Sequence, residues 1–315
     1  MSRKIGTAFV LGAGLGTRLR PLTLDRPKPL VPVFHKPLIT YALDHLKAAG
    51  VEKFVINTHH HAEAFEELFG SGSYRGCPVA LSYEPELLDT GGGMKKAQDL
   101  IGGDPFLVYS GDILTDVDLG TLGDAHFQCG HDVTLALRNT GFSSSLAFRD
   151  GRVTDIRNRY GQGGGYDFAN VSIWNASIFE RLPEGQKLSF VPVVSDWIGQ
   201  GGQIGGVVLN DRAWFNIGSR KEYLDVHRTI FQGDWTPAYW ESGWPAAVHP
   251  SAWIAPSARL EGWTVVGAGA EIGAGAVVRD SVVWENAEIA SLASLEACIV
   301  RDGRRAEGTL RSVDV

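Results

Sequence analysis

From Val248 onward, aliphatic residues return at every sixth position: Val248, Ile254, Leu260, Val266, Ile272 and Val278, then, after a one-residue slip, Val283, Ile289 and Leu295. This hexapeptide repeat is the mark of a parallel β-helix, in which each short strand sends one aliphatic side chain inward. At about eighteen residues per triangular coil, the run supplies roughly three coils. The alternating strands of a sandwich could imitate a few of these positions, but not six in succession.

The first two-thirds of the chain alternates strand-like and helix-like segments. Leu38, Ala42, Leu46 and Ala49 share one helical face within 37–49, and Gly50 ends the helix. Strands are expected at 53–58, 79–84, 105–110, 133–138 and 204–209, and helices near 62–69, 93–100 and 220–231. Such alternation predicts an open α/β layer with a mainly parallel, mixed sheet, whose ligands sit beyond the carboxyl ends of the strands. The expected division is an α/β domain over 1–233, an aromatic linker over 234–247 that holds Trp235, Tyr239, Trp240 and Trp244, and the repeat domain over 248–315. Packing between domains is the commonest use of such aromatics.

With a formal charge of −7 over 315 residues, the chain offers no general surface for nucleic acid or an anionic membrane. The start, Met1-Ser-Arg-Lys-Ile-Gly, has no apolar stretch of signal-peptide length, and no run of about eighteen apolar residues occurs anywhere. A cytoplasmic location is expected. Cys77, Cys129 and Cys298 are scattered and form no Cys-x-x-Cys pair, so reduced structural thiols are expected rather than disulfides or a zinc site.

Residues 11 to 30 carry the densest functional signal. An apolar run, Thr7 to Leu11, feeds Gly12, Gly14 and Gly16, where missing Cβ atoms let backbone N–H groups converge on an anion. The segment is not a P-loop, because Gly16 is followed by Thr17 and Arg18 instead of Lys-Ser/Thr. Nor is it a dinucleotide fingerprint, which needs a third glycine where Thr17 stands. Pro21, Pro27, Pro29 and Pro32 exclude a continuous helix and leave a long, stiff loop. Arg18, Arg20, Arg26 and Lys28 gather there against a single acid, Asp25, a local cationic excess that suits a polyphosphate.

The combination Gly-x-Gly-Thr-Arg-Leu-x-Pro-Leu-Thr with Pro-Lys-Pro-Leu closely resembles the signature of the sugar-1-phosphate nucleotidyltransferases. The layout, with a C-terminal hexapeptide repeat, is similar to that of mannose-1-phosphate guanylyltransferases. The resemblance implies a Rossmann-like nucleotidyltransferase domain followed by a short left-handed parallel β-helix. It also implies a nucleoside triphosphate and a sugar 1-phosphate as substrates, Mg2+ as cofactor, and Leu11, Gly12, Ala13, Gly14, Gly16 and Thr17 around the nucleotide. Other hexapeptide-repeat domains are acyltransferases that use a histidine near a coil interface. Here the repeat region has only His249, at its entrance, and no long loop interrupts the coils, so a second catalytic site is not expected.

Asp112, in Tyr109-Ser110-Gly111-Asp112, follows an apolar strand and is the leading metal ligand, since magnesium takes one or two carboxylates and completes its shell with phosphates and water. A turn-capping aspartate is the competing reading. Trp214-Phe215-Asn216-Ile217-Gly218-Ser219 resembles the family's Trp-x-Asp-x-Gly-Thr, with Asn216 in place of aspartate. Its amide oxygen could ligate the metal, or its side chain could cap the helix from Arg220. Asp89 and the run Thr90, Gly91, Gly92, Gly93 resemble the base- and sugar-contacting loop. Glu84 accepts hydrogen bonds only and leans toward guanine, although Leu-Leu-Asp-Thr-Gly-Gly-Gly also resembles N-acetylmuramate-1-phosphate uridylyltransferases. Asn170 matches a position that holds sugar hydroxyls, but the family's Glu-Lys-Pro is replaced by Arg157-Asn158-Arg159, where either arginine is a candidate phosphate clamp. His59, His60 and His61 point in different directions and make no metal site.

The expected reaction is in-line attack of the sugar-phosphate oxygen on the α-phosphorus, with pyrophosphate leaving. Arg18, Lys28 and Asp112 would carry it by positioning and charge neutralisation. Guanylyl transfer to mannose 1-phosphate or a related sugar is favoured. The alternatives are uridylyl or thymidylyl transfer, or a non-catalytic subunit that senses nucleotide-sugar. Apolar flanks of the β-helix suit a homo-oligomer.

Overall fold

The computed structural model describes residues 4–240 and 243–315; Met1–Arg3 and, within the expected linker, Glu241 and Ser242 lie outside the described residues. The chain divides into two compact units that interleave in sequence, Met1–Leu15 with Ile39–Trp214 and Gly16–Leu38 with Phe215–Val315.

The first unit is built on a ten-stranded sheet. From edge to edge the strands are Leu146–Arg149, Arg152–Ile156, Ile204–Val208, Val133–Arg138, Asp167–Trp174, Phe106–Ser110, Thr7–Leu11, Lys53–Thr58, Cys77–Tyr83 and Ser73–Tyr74. Thr7–Leu11 pairs in parallel with a strand on either side, and its buried centre, Ala8, Phe9 and Val10, reads as the unbroken apolar run that a doubly covered parallel strand requires. Leu11 is in register with both Asn57 and Ser110, so the chain leaves all three strands at the same edge, where ligands of open α/β sheets gather.

One central strand escaped the sequence reading. Asp167–Trp174 runs antiparallel between Phe106–Ser110 and Val133–Arg138, and its register breaks between Phe168 and Ser172. Asn170 sits in that break in the left-handed region at φ 60°. A bulge of this kind turns a side chain out of the pleat. Also unanticipated are the hairpin Leu146–Arg149 with Arg152–Ile156 and the helices Leu119–Cys129 and Phe190–Gly199. The helix expected over 93–100 starts earlier, as Asp89–Lys96, and is followed by the turn Gln98–Ile101.

That earlier start has a packing cause. Backbone N–H groups of Gly91 and Gly92 both donate to the Leu188 carbonyl, at 2.8 and 2.9 Å. A Cβ on Gly92 would lie 2.3 Å from the Gln186 carbonyl oxygen. Gly92→Ala is therefore expected to cost about 1–3 kcal/mol as the helix is pushed off this segment, read as a lower urea midpoint at unchanged m-value. An unchanged midpoint would contradict the packing.

Asp167 organises a neighbouring loop. Its carboxylate accepts from the N–H groups of Thr140, Phe142, Ser143 and Ser144 and from the hydroxyls of Thr140 and Ser143. Burial alone would raise its pKa, but these donors hold it well below the usual carboxylate range.

The second unit contains the β-helix, which forms three sheets of short parallel strands consistent with the left-handed coil expected. Ile254, Ile272, Ile289 and Ala306 stack in one sheet; Leu260, Val278, Leu295 and Leu310 in the second; Val266, Val283 and Val300 in the third. The coil from Ile272 to Ile289 is one residue shorter than the coil before it, which is the slip seen in the repeat. Residues 16–38 pack in the same unit. Arg26 pairs with Glu285 at 2.6 Å and Asp302 at 3.1 Å, while Asp25 receives Arg301 at 2.7 Å and Arg304 at 3.0 Å. The Tyr223 hydroxyl, on the helix Arg220–Phe231, donates to the Pro32 carbonyl and accepts from Trp284 Nε1. Among the described residues, no helix is long and apolar enough to cross a membrane.

Candidate active site

In the first unit, the strand-end register brings the glycine loop beside the aspartate turn. Gly111 N–H donates to the Leu11 carbonyl at 2.9 Å, and a Cβ on Gly111 would sit 2.8 Å from that same oxygen. Gly111 is thus required for close approach of two backbones, and it sets half-buried Asp112 next to the loop. Gly12 is spent internally, its N–H donating to Asn57 Oδ1 at 2.8 Å. The N–H groups of Ala13, Gly14 and Leu15 find no protein acceptor among the described residues, and the Cα of Gly14 faces open space. A short row of unclaimed donors at a strand end is an anion cradle. The antiparallel register, continued past Val171 opposite Tyr109, runs Asn170 toward Ser110.

Two groups of expected contact residues are engaged within the protein. Glu84 was read as a base acceptor, yet it is fully buried and both its oxygens are taken: Oε1 by Asn57 Nδ2 at 2.7 Å, and Oε2 by Leu88 N–H at 2.8 Å. Thr90, Gly91 and Gly92 were expected in the base- and sugar-contacting loop. Their polar groups serve the 188–190 segment, with Thr90 Oγ1 accepting from Phe190 N–H at 3.2 Å and both glycine N–H groups bound to Leu188. In each case the strand or helix end is filled by protein.

In the second unit, Gly16 takes the left-handed conformation at φ 60° and starts the short turn Thr17–Leu19. The Gly16 carbonyl accepts from Leu19 N–H and from Thr23 Oγ1, and a Cβ there would meet Lys28 Cβ at 3.0 Å. The turn leaves Thr17 and Arg18 exposed, while Lys28 is 6% exposed. Arg18 and Asn216, nearly two hundred positions apart in sequence, come together at Gly218. Asn216 Nδ2 and Arg18 Nη2 lie 3.0 and 3.4 Å from the point a Cβ on Gly218 would occupy. Asn216 does not cap the following helix. Ser219 does, in a reciprocal Ser-x-x-Glu box with Glu222, and Glu222 Oε1 also takes the Asn216 amide at 3.3 Å. Donating its nitrogen to Glu222 leaves the Asn216 amide oxygen as the end able to ligate a cation.

Arg26 is engaged by Glu285 and Asp302 of the β-helix, and Arg159 by Asp196 at 2.5 Å, so neither is a spare phosphate clamp. Arg157 N–H is bound to the Ser145 carbonyl, and among the described residues its guanidinium meets no acceptor. The sequence reading missed Asn57 and Glu222. The capping-box spacing from Ser219 to Glu222 was a usable signal for the second; Asn57 had none, because its partners, Gly12 and Glu84, lie on two other segments.

Comparison with known proteins gives the family. The family model described as nucleotidyl transferase matches residues 7–147. A mannose-1-phosphate guanylyltransferase of Mycobacterium tuberculosis is 31% identical over 291 residues, which cover 90% of this chain and 80% of that protein. The chain belongs to the sugar-1-phosphate nucleotidyltransferase family. The N-acetylmuramate α-1-phosphate uridylyltransferase of Neisseria meningitidis is 35% identical over 191 residues, 59% of this chain and 83% of that protein. The D-glycero-α-D-manno-heptose 1-phosphate guanylyltransferase of Aneurinibacillus thermoaerophilus is 32% identical over 186 residues, 58% of this chain and 80% of that protein. This nucleotidyltransferase is therefore a transferase acting in nucleotide-sugar chemistry, in a family that generally uses a divalent cation. Among the described residues no group of three or more His, Cys, Asp or Glu is arranged to hold a metal by itself. A cation held through one or two carboxylates and completed by substrate phosphates needs no such cluster.

Proposed function

We propose that the protein transfers a guanylyl group from GTP to mannose 1-phosphate or a closely related sugar 1-phosphate, releasing pyrophosphate. The observation that carries the reading is the row of unclaimed N–H groups at Ala13–Leu15 beside Asp112. An anion cradle next to a carboxylate repels a polyphosphate unless a cation lies between them. Asp112 would hold Mg2+, which would supply charge neutralisation of the phosphates, and Asn216 is a candidate ligand through its amide oxygen.

An oxygen of the sugar phosphate, already anionic, forms the new bond to the α-phosphorus as the bond to the β-phosphate oxygen breaks. No general base is needed. Gly12 to Thr17 seat the nucleotide, Arg18 takes the charge that grows on the departing pyrophosphate, Lys28 holds phosphate oxygens, and Asn170, turned out by its bulge, binds sugar hydroxyls. With Glu84 buried, the preference for guanine rests on identity and extent together: the guanylyltransferase match is 31% identical over 90% of the chain, whereas one uridylyltransferase match covers 59% of the chain and another, over 98% of it, is 24% identical. The proposal keeps a nucleotidyltransferase domain over 1–233 and a repeat domain over 248–315, in a cytoplasmic homo-oligomer.

Pyrophosphate release across four nucleoside triphosphates and a panel of sugar 1-phosphates tests the reading. GTP with a manno-configured sugar should turn over fastest, EDTA should abolish release, and Mg2+ should restore it. Asp112→Ala should lower kcat by about two orders of magnitude or more at saturating Mg2+. Faster turnover with UTP would move the assignment to uridylyl transfer, and full activity of Asp112→Ala would remove the metal role.

A further inference from the structure

We infer that Asn57 and Glu84 form a buried hydrogen-bond relay that positions the glycine loop, and through it sets nucleotide affinity, although neither side chain touches the nucleotide. The inference deepens the reading above and rests on it only for its kinetic arm.

The relay runs through three contacts. Gly12 N–H donates to Asn57 Oδ1 at 2.8 Å, Asn57 Nδ2 donates to Glu84 Oε1 at 2.7 Å, and Leu88 N–H donates to Glu84 Oε2 at 2.8 Å. Asn57 is 2% exposed and Glu84 0%. Neither can exchange a partner for water, so the loop's first amide is tied to a fixed interior side-chain pair. The direction of each bond is determined. Turning the Asn57 amide over would set its nitrogen against Gly12 N–H and its oxygen against the carboxylate.

The surrounding backbone is shaped to admit this pair. A Cβ on Gly93 would lie 2.3 Å from Glu84 Oε1 and 2.8 Å from Asn57 Nδ2, and a Cβ on Gly12 would lie 2.7 Å from the Asn57 carbonyl oxygen. His59 Nδ1 binds the Glu84 carbonyl at 2.8 Å, anchoring the carboxylate's own backbone. The N–H of Gly12 is claimed, and the open donors of Ala13, Gly14 and Leu15 follow directly. Where Gly12 is held therefore sets the direction of the donors that meet the phosphates.

Bond direction also provides the test. In E84Q the new amide can accept from Asn57 or from Leu88 but not from both, because its other end is a donor. In N57D two carboxylates face each other. In N57D/E84Q every contact is restored with the charge moved by one residue: the carboxylate at 57 accepts from Gly12 and from the amide at 84, whose oxygen accepts from Leu88. Hydrogen exchange of the 11–17 backbone is measured in the ligand-free, full-length protein, and KM for GTP and for mannose 1-phosphate in the pyrophosphate assay.

Each single variant should speed exchange at Gly12 and raise KM for GTP, both by roughly ten-fold, with KM for the sugar phosphate changed less than about two-fold. The double variant should return both to within about three-fold of the parent. Singles that lower the melting temperature yet leave loop exchange and KM at parent values would reduce the pair to packing and overturn the inference. So would a double variant that is no better than the singles, or that fails to fold, since it keeps every bond. If the parent releases no pyrophosphate from any substrate pair, the proposed reaction falls, and the exchange arm still decides the relay.

Discussion

Arg18→Ala should reduce kcat about 10²–10³-fold at saturating substrates, the usual cost of removing one preorganised group from a developing charge. Arg18 is exposed on the Thr17–Leu19 turn, and among the described residues its guanidinium is bound by no acceptor. What fixes its place is backbone: the left-handed Gly16, its carbonyl bonds to Leu19 and Thr23, and the buried Leu19 beneath. Deleting the side chain should therefore leave stability within about 0.5 kcal/mol of the parent. Arg18→Lys should recover part of the rate, since an ammonium supplies the charge without the planar fork that spans two phosphate oxygens. Arg18→Ala that keeps more than about half of the parent kcat would exclude the residue from the chemistry, whatever its position.

Acid should destabilise the fold well above the pH at which carboxylates titrate. Burial pushes His45 down to about 3 and His227 down to about 4, from 6.5. His45 Nδ1 meets the Tyr109 hydroxyl at 3.1 Å, and burial raises that phenol far above its ordinary value, so it stays a donor and the imidazole stays neutral. His227 accepts from Phe34 N–H at 3.3 Å and lies 2.8 Å from the Tyr223 carbonyl. In the unfolded chain both take up a proton below about 6.5. The unfolded state then binds more protons than the folded one, and stability falls with falling pH throughout the window from 6.5 down to the folded values.

Between pH 6.5 and 5 each histidine should cost about 2 kcal/mol, read as falling urea midpoints. His45→Gln should lower the whole curve but flatten its slope by one histidine's share. A slope unchanged by that substitution would locate the acid sensitivity elsewhere. Asp167, with its depressed carboxyl, adds its own loss only below about pH 4.

The parts of the fold that were legible are those in which spacing itself is the constraint. A sixfold period survives any local composition, and so Val266, Val283 and Val300 stack as the repeat requires, even across the shortened coil. The glycine segment was legible because prolines excluded a helix and two cations flanked the turn. Asp167–Trp174 was not, since the bulge at Asn170 breaks the alternation by which a strand is recognised. The surroundings of Glu84 were hidden in the sequence for a related reason. A carboxylate after a strand looks the same in sequence whether it faces solvent, ligand or core, and here Asn57 and Leu88, from other segments, decide it. Asn216 was half legible: its place in the motif was visible, but its tie to Glu222, with Ser219 as the cap, needed coordinates.

Arg26 and Asp25, inside the signature segment, find their counter-charges at Glu285, Asp302, Arg301 and Arg304, close to the far end of the chain. Genes of this layout look as though a tail had been appended to a finished enzyme. Energetically the boundary falls elsewhere, for the loop and the tail share one ledger of charge. A substitution at Asp302 or Arg301 therefore removes a counter-charge from Arg26 or Asp25, within the first motif.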